Sequence, residues 1–189
     1  KARKGEGWFD IVIGNPPYVR QEKIKHLKTA FQGLFSTYDG RADLLVYFYE
    51  AGVGLLRKGG VLALITSNKF LRAGYGAPLR AFLATRCEIL SLVDFGDLPV
   101  FDATAYPCVF IGRRAEPRSD HTLQTVRIES IDELERFGQV VQSKSHKRPQ
   151  SELSAEVWQM GNLAITTVIS LIKSGRRVLR DIVQLQGDE

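Results

Sequence analysis

The stretch FDIVIGNPPY at residues 9–18 constrains this chain more than any other feature of its sequence. Its apolar part is typical of a strand that is covered on both faces, as in a parallel sheet. The strand then runs directly into two prolines. Proline fixes φ and holds the preceding residue extended, so the side-chain carbonyl of Asn15 and the backbone carbonyl of Pro16 should converge. Two convergent acceptors suit a planar NH₂ group, and Tyr18 offers a flat face for the ring that carries it.

Strands and helices alternate along the first 112 residues. Apolar runs at 61–66, 89–95 and 108–111 predict three further strands, and helical periodicity predicts helices at 42–56 and 76–86. This alternation is typical of a doubly wound α/β sheet. Because no helix separates the last two strands, we expect them to pair antiparallel.

The character of the chain changes after residue 114. Ser130 and Glu133 have the spacing of a capping box, which predicts a short helix over 128–137. Residues 143–150 are basic and contain a proline, which indicates a linker, and the periodicity of 162–173 predicts another helix. The predicted organisation is an α/β part over 1–114, a connector over 115–150 and a small α-rich tail over 151–189.

Composition narrows the functional classes. The 189 residues include 26 Lys and Arg against 21 Asp and Glu, a net charge of +5 that is compatible with a polyanionic partner. Cys87 and Cys108 lie apart in apolar surroundings and the three histidines are scattered, so we predict buried thiols and no metal site. No segment approaches the roughly 20 apolar residues of a membrane span. We expect a cytoplasmic protein.

The NPPY sequence resembles the catalytic motif of a large family of amino-methyltransferases. The resemblance implies that a base is rotated out of a DNA duplex and stacks on Tyr18. Its exocyclic amine donates to Asn15 and Pro16, which the Pro16–Pro17 pair holds rigid, and the methyl group of S-adenosylmethionine transfers in line. It also implies cofactor contacts from Asn15 and Pro17. Such a mechanism depends on geometry and needs no strong base.

The resemblance covers roughly residues 9–112. The stretches ADLLVYFYEAGVGLLRKGGVLALITSNKFLRAGYGAPLRAFL and ILSLVDFGDLPVFDATAYPCVFIG are similar to adenine-N6 DNA methyltransferases, including the fused enzymes of type II and IIG restriction-modification systems. In that family a second aromatic side chain, from the loop between the last two strands, also stacks on the flipped base. Phe101 holds the matching place, although a hairpin core residue is the alternative. The stretch LAITTVISLIKSGRRVLRDIVQLQG resembles the lead-in to a target-recognition domain.

Part of that family's pattern is missing. No glycine-rich loop follows a strand upstream of Asn15, and Gly52-Val53-Gly54 falls within a predicted helix, where it serves packing. We therefore expect the second half of a Rossmann-like, S-adenosylmethionine-dependent methyltransferase sheet, cut from a longer polypeptide. Alone, it should neither bind the cofactor tightly nor turn over. The strand that leads to Asn15 would then be an open sheet edge, which invites oligomerisation.

Basic residues follow two of the predicted strands at their carboxyl ends, where ligands bind in parallel sheets. Lys28 lies in the same stretch after Tyr18, and a phosphate contact is considered for it as well. The residues that we predict as DNA contacts are Arg20, Lys23, Lys25, Lys69 and Arg72. Phosphate contacts and ordinary solvated charge are both open for each of them.

Two other functions remain open. Methyltransferases that act on a protein glutamine or on RNA bases also carry this motif, because those substrates present a planar NH₂ too. The second alternative is a degenerate α/β interaction module without catalysis, which the missing cofactor loop would suit.

Overall fold

A computed structural model describes residues 7–101 and 106–160, which build a mixed sheet in the order β1-β2-β4-β3-β5-β6. The strands are β1 (Phe9–Gly14), β2 (Leu56–Ser67), β3 (Cys87–Asp94), β4 (Pro107–Arg114), β5 (Thr122–Arg127) and β6 (His146–Pro149). The α-helices are α1 (Lys28–Leu34), α2 (Leu45–Leu55), α3 (Ala77–Arg86), α4 (Ile131–Glu135) and α5 (Phe137–Lys144). Short 3₁₀ segments occupy Gln21–Leu27, Asn68–Leu71, Gly74–Gly76 and Gln150–Glu152.

Strand β4 is inserted between two strands that run parallel to each other. It pairs antiparallel with β2 on one side and with β3 on the other, while β1 pairs parallel with β2. The predicted α/β class and the antiparallel pairing of the last two predicted strands are confirmed. The insertion itself was not predicted, since periodicity identifies strands without giving their order.

Helices α2 and α3 lie on one face of the sheet, where they contact β2, β3 and each other. Gly52 permits this approach, because a Cβ at that position would lie 2.8 Å from Leu62 Cδ1. The predicted packing role of this glycine in a helix is therefore confirmed. No helix within residues 7–101 and 106–160 is long and apolar enough to cross a membrane.

Strand β1 differs from its prediction as a strand covered on both faces. Val12 packs against the main apolar cluster, but Ile11 and Ile13 on the other face are 65% and 80% exposed. The prediction is wrong for the described residues because β1 lies at the edge of the sheet and its second face meets none of the described elements. An apolar run shows that a strand can be buried, while burial itself depends on what packs against it.

The segment 115–150, predicted as a connector, continues the sheet. It contains β5, which pairs parallel with β3, and β6, which pairs antiparallel with β5. The prediction of a linker at 143–150 is therefore wrong. Basic residues can form a strand here because β6 lies at the edge of the sheet, where their charges stay in solvent. Ser130 Oγ accepts a hydrogen bond from Glu133 N at 3.2 Å, which confirms the predicted cap. The helix predicted at 162–173 lies outside the described residues.

Residues 150–160 fasten the end of the described chain to α3 and β3. Gln150 Oε1 accepts from Ile89 N at 2.7 Å, and Gln150 Nε2 donates to Ala84 O and Cys87 O. Trp158 is buried, and its backbone N–H donates to Leu71 O at 2.9 Å. These bonds satisfy buried backbone groups that regular structure leaves unpaired.

We predict that Gln150→Ala lowers the free energy of unfolding by about 2–4 kcal/mol, because it leaves buried backbone groups without partners. Urea unfolding followed by tryptophan fluorescence measures the change. Gln142→Ala is the matched control, since this exposed glutamine lies on α5 and should change stability by less than about 0.5 kcal/mol. Equal midpoints for the two variants would contradict the role of Gln150.

Candidate active site

Three strands deliver residues to one edge of the sheet. Strands β1 and β2 are parallel, and β2 and β3 both run antiparallel to β4, so the carboxyl ends of all three lie at the same edge. Asn15, Asn68 and Phe95 are the first residues beyond these strands. Strand β4 begins at this edge, where Pro107 pairs with Ser67. The segments that follow β1, β2 and β3 therefore surround a common space.

The NPPY segment turns sharply as it leaves β1. Asn15 is exposed and Pro16 is buried. Val19 N donates to Pro17 O at 2.9 Å, which closes a tight turn around Tyr18, and Val19 O accepts from Leu44 N at 3.0 Å. The prolines and these two backbone bonds fix the path of the chain, while the Asn15 side chain stays accessible.

Asp43 ties the segment after the motif to its neighbours. Its Oδ1 accepts from Gln21 N at 2.9 Å, and its Oδ2 accepts from Tyr75 Oη at 3.2 Å. One carboxylate just before α2 thus links the 3₁₀ segments on either side of the site. The sequence identified Asp43 only as an acidic residue near a helix start, and the contact with Tyr75 had no sequence signal.

Tyr18 and Phe101 meet at this edge, although they lie 83 positions apart in the sequence. Their ring centroids are 6.0 Å apart, and the ring planes are tilted by 52°. Tyr18 remains 37% exposed, and Phe101 is half-buried and belongs to neither of the two apolar clusters. The fold therefore brings together the two aromatic residues that we predicted as base-stacking.

The buried side chains of Tyr49, Thr66 and Cys108, which lie near Tyr18 and which we call the floor, are polar but uncharged. Tyr49 and Thr66 share a hydrogen bond of 2.9 Å between their hydroxyls, and Thr66 Oγ1 lies 3.7 Å from Cys108 Sγ. Burial raises the pKa of the Cys108 thiol to about 12. Burial, with a smaller contribution from Cys108, also raises the pKa of Tyr18 to about 12. These groups stay protonated near neutral pH, so none of them is a general base there.

The predicted DNA contacts divide into two groups. Arg20, Lys23 and Lys25 are exposed and form no ion pair with a described residue. Lys69 Nζ lies 6.0 Å from the centroid of the Tyr106 ring, and Arg72 Nη2 lies 3.6 Å from Asp94 Oδ2. The first group is free to meet a ligand, whereas the second already has partners within the protein.

Lys28, by contrast, makes its contacts within the protein. Its Nζ donates to Ala42 O at 2.6 Å and lies near the Tyr47 ring. Burial lowers the pKa of Lys28, and the nearby Asp39 opposes that shift. This lysine secures the loop before α2, so the phosphate contact considered for it does not fit its surroundings.

The sequence offered little sign of two further residues at this edge, Asn68 and Asp94. Asn68 Nδ2 donates to Asp94 Oδ1 at 2.7 Å, and the Asp94 side chain is fully buried at the end of β3. Asp94 lies within the strand predicted at 89–95, and no sequence pattern marked either residue as part of the site.

A family model described as "Eco57I restriction-modification methylase" matches residues 1–101 of this chain, which is more than half of it. The chain belongs to this family. Type II methyltransferase M.XhoI of Xanthomonas vasicola is 33% identical over 157 residues, which cover 79% of this chain and 29% of that relative. Type II methyltransferase M.PaeR7I of Pseudomonas aeruginosa is 39% identical over 109 residues, which cover 56% of this chain and 19% of the relative. The chain thus spans less than a third of the length of either relative.

Solved structures share the fold at lower identity. The type IIG restriction endonuclease BpuSI superposes with a TM-score of 0.54 and 18% identity, over 76% of this chain and 19% of that one. The methyltransferase subunit of a type I restriction-modification system from Streptococcus thermophilus superposes with a TM-score of 0.56 and 16% identity, over 80% of this chain and 36% of that one. The predicted half of a methyltransferase-type sheet is therefore confirmed at the level of fold.

Membership of a methylase family implies S-adenosylmethionine as the methyl donor. Within residues 7–101 and 106–160, no strand leads into a Gly-x-Gly-x-x-Gly turn, the loop that was missing from the sequence pattern. Gly14, at the end of β1, packs against the sheet, since a Cβ there would lie 3.5 Å from Leu64 Cδ2. Asn15 and Pro17, the two residues predicted to contact the cofactor, are exposed beside it.

We predict that neither cysteine reacts with a disulfide reagent at pH 8 in the native protein. Cys87 and Cys108 are both fully buried, and burial raises each thiol pKa to about 12, so the reactive thiolate is scarce. Titration with Ellman's reagent should find no rapid thiol until guanidinium is added, when both react. Rapid modification of even one thiol in the native state would contradict the burial described above.

Proposed function

We propose that the whole protein is a site-specific DNA methyltransferase of a restriction-modification system, and that it methylates the exocyclic N6 amine of adenine. The observation that carries the proposal is the approach of Phe101 to Tyr18, with ring centroids 6.0 Å apart, beside the exposed Asn15. An acceptor next to two aromatic faces suits a planar base with an amino group. The names of relatives support the reaction class, since M.XhoI and M.PaeR7I are both called type II methyltransferases, and the family model's description as a restriction-modification methylase supports DNA as the substrate.

The proposed chemistry depends on orientation. The amine of a flipped adenine donates its two hydrogens to Asn15 Oδ1 and Pro16 O, which draws the nitrogen lone pair out of conjugation with the ring. The lone pair would then point away from the two acceptors and take the methyl group of S-adenosylmethionine as the bond from that methyl to sulfur breaks, so that S-adenosylhomocysteine would leave and the extra proton of the methylated amine would pass to water. The neutral floor of Tyr49, Thr66 and Cys108 suits this mechanism, because the reaction uses the nitrogen's own lone pair and not a general base.

Stacking requires a small change in the aromatic pair. Carbon atoms in contact lie about 3.5 Å apart, so a base between two parallel rings needs centroids about 7 Å apart. The pair in this structure is about 1 Å closer and tilted. The flipped base is therefore proposed to turn and separate Phe101 from Tyr18 as it enters, and both faces of the base leave water.

Other parts of the polypeptide would complete the enzyme. In the proposed enzyme, Asn15 and Pro17 contact S-adenosylmethionine, and the chain described here neither binds the donor tightly nor methylates by itself. Double-stranded DNA is the proposed partner. Arg20, Lys23 and Lys25 are the best candidates for phosphate contacts, because they are exposed and hold no ion pair with a described residue. Lys69 and Arg72 remain candidates that would have to exchange present partners for phosphate.

We predict that Asn15→Ala in the whole protein lowers the rate of methyl transfer about 100-fold or more, because one of two oriented acceptors is lost. The assay uses unmethylated duplex DNA and tritiated S-adenosylmethionine, and nucleoside analysis identifies the product. Gln32→Ala is the control, since it removes an exposed carboxamide from α1. Native-rate adenine methylation by Asn15→Ala would end the proposal. Label in protein or RNA, with none in DNA, would favour the other substrate classes.

We also predict that replacing Lys23 and Lys25 together by Gln weakens DNA binding and flattens its salt dependence. Each lost phosphate contact should change the slope of log K against log[salt] by about 0.9, so the pair should change it by about 2. The control replaces Lys58 and Arg86, two exposed basic residues near the amino ends of β2 and β3 and so away from the carboxyl edge of the sheet. An unchanged slope for the Lys23 and Lys25 variant would remove both from the interface.

A further inference from the structure

Phe101 lies at the end of a short turn-containing segment that leaves β3. We call residues 95–101 the Phe101 arm. Two internal backbone bonds shape it, from Leu98 N to Phe95 O at 3.1 Å and from Val100 N to Leu98 O at 2.9 Å. Leu98 and Val100 are partly buried against the smaller apolar cluster, which is formed by Val93, Phe95, Val126, Ile128 and Val140. The far end, which carries the Phe101 ring, reaches Tyr18 without joining either cluster.

At the root of the Phe101 arm, one buried carboxylate oxygen accepts two hydrogen bonds. Asp94 Oδ1 accepts from Gly96 N at 3.0 Å and from Asn68 Nδ2 at 2.7 Å. Gly96 has φ of +58°, a conformation that glycine adopts at little cost, and it turns the chain out of β3. This carboxylate and its two donors therefore act together with the buried Phe95 to direct the arm out of the sheet.

Asn68 connects this root to the return side of the same loop. Its backbone N–H donates to Tyr106 O at 2.6 Å, while its side chain holds Asp94. Phe95 N in turn donates to Pro107 O at 3.1 Å. One residue beyond β2 thus joins the outgoing chain after β3 to the chain that enters β4.

We infer that Asn68 and Asp94 are positioning residues that set the Phe101 ring over Tyr18 and so shape the base-stacking slot. The inference deepens the proposed function and rests on it. Neither residue needs to touch the base, because both act through the Phe101 arm. The Phe101 ring must shift by about 1 Å to admit a base. The root of the Phe101 arm therefore has to stay fixed while the ring at its far end moves.

The anchoring resides in hydrogen bonds and not in charge. Asp94 Oδ2 is buried and accepts no hydrogen bond from a described residue, and Arg72 Nη2 approaches it only to 3.6 Å. The Arg72 side chain is 55% exposed and can turn to solvent. Asp94→Asn keeps an oxygen for both Asn68 and Gly96, so it should preserve the arm. Asp94→Ala and Asn68→Ala should each release it.

Hydrogen exchange on the whole protein without DNA tests the anchor independently of activity. In Asp94→Ala and in Asn68→Ala, amides of residues 95–101 should exchange about tenfold faster or more, while those of β3 keep their native rates. Asp94→Asn and the control Asp97→Asn, an exposed carboxylate on the arm, should match the wild type. Equal rates in all variants would overturn the inference. So would acceleration that extends equally through β3, since Asp94 would then support the fold in general.

Single-turnover methylation tests whether the anchor acts through Phe101. Asp94→Ala should lower the rate about tenfold, with the DNA dissociation constant within about twofold of wild type, and Asp94→Asn should restore the rate. In a Phe101→Ala background, Asp94→Ala should change the rate by less than about twofold, because its route of action is already gone. Fully additive losses would refute the inference. If the wild-type protein methylates no adenine, the proposed function fails, and hydrogen exchange still decides whether Asp94 anchors the arm.

Discussion

The double pairing of β4 is the constraint on which the described site depends. Because β4 runs antiparallel between two parallel strands, it must begin at the edge where those strands end. Pro107 pairs with Ser67 of β2, and Cys108 pairs with Asp94 of β3. The connection from β3 to β4 therefore leaves and re-enters the sheet at its carboxyl edge, and it carries Phe101 to the NPPY segment. Without this insertion, Phe101 would have no reason to lie near Tyr18.

Polar groups at this edge divide between holding the chain and facing a ligand. Asp43, Asp94 and Lys28 are bonded to backbone or side-chain partners inside the protein, and those bonds offset part of the cost of removing them from water. Asn15, Arg20 and Lys23 are left exposed. This division concentrates rigidity in the loops and leaves the side chains with proposed ligand roles free to meet a partner. A site that works by orienting its substrate benefits from such a division.

The same sheet extends well beyond the residues that form the site. Strands β5 and β6 add to it on the side of β3, and α4 and α5 cover part of its second face. On the first face, Arg80 donates to Phe70 O, Ala73 O and Ala155 O, which fastens the last described segment to α3 and to the turn after β2. These bonds from Arg80 therefore stabilise the turn that contains Asn68 and Lys69.

The sequence by itself determined the strand that ends in Asn-Pro-Pro-Tyr, the helices at α2 and α3, the cap at Ser130 and the antiparallel pairing of the last two predicted strands. These features follow from periodicity, proline geometry and capping, which act over a few residues. Tertiary structure alone decided that β4 lies between β2 and β3, that Lys28 turns inward, that β6 forms from a basic segment, and that one face of β1 stays exposed. Each of these depends on which distant segment packs alongside, and local sequence carries no record of that. The contact between Tyr18 and Phe101 depends on both sequence and tertiary structure. The family resemblance indicated the two residues, and the strand order brought their rings together.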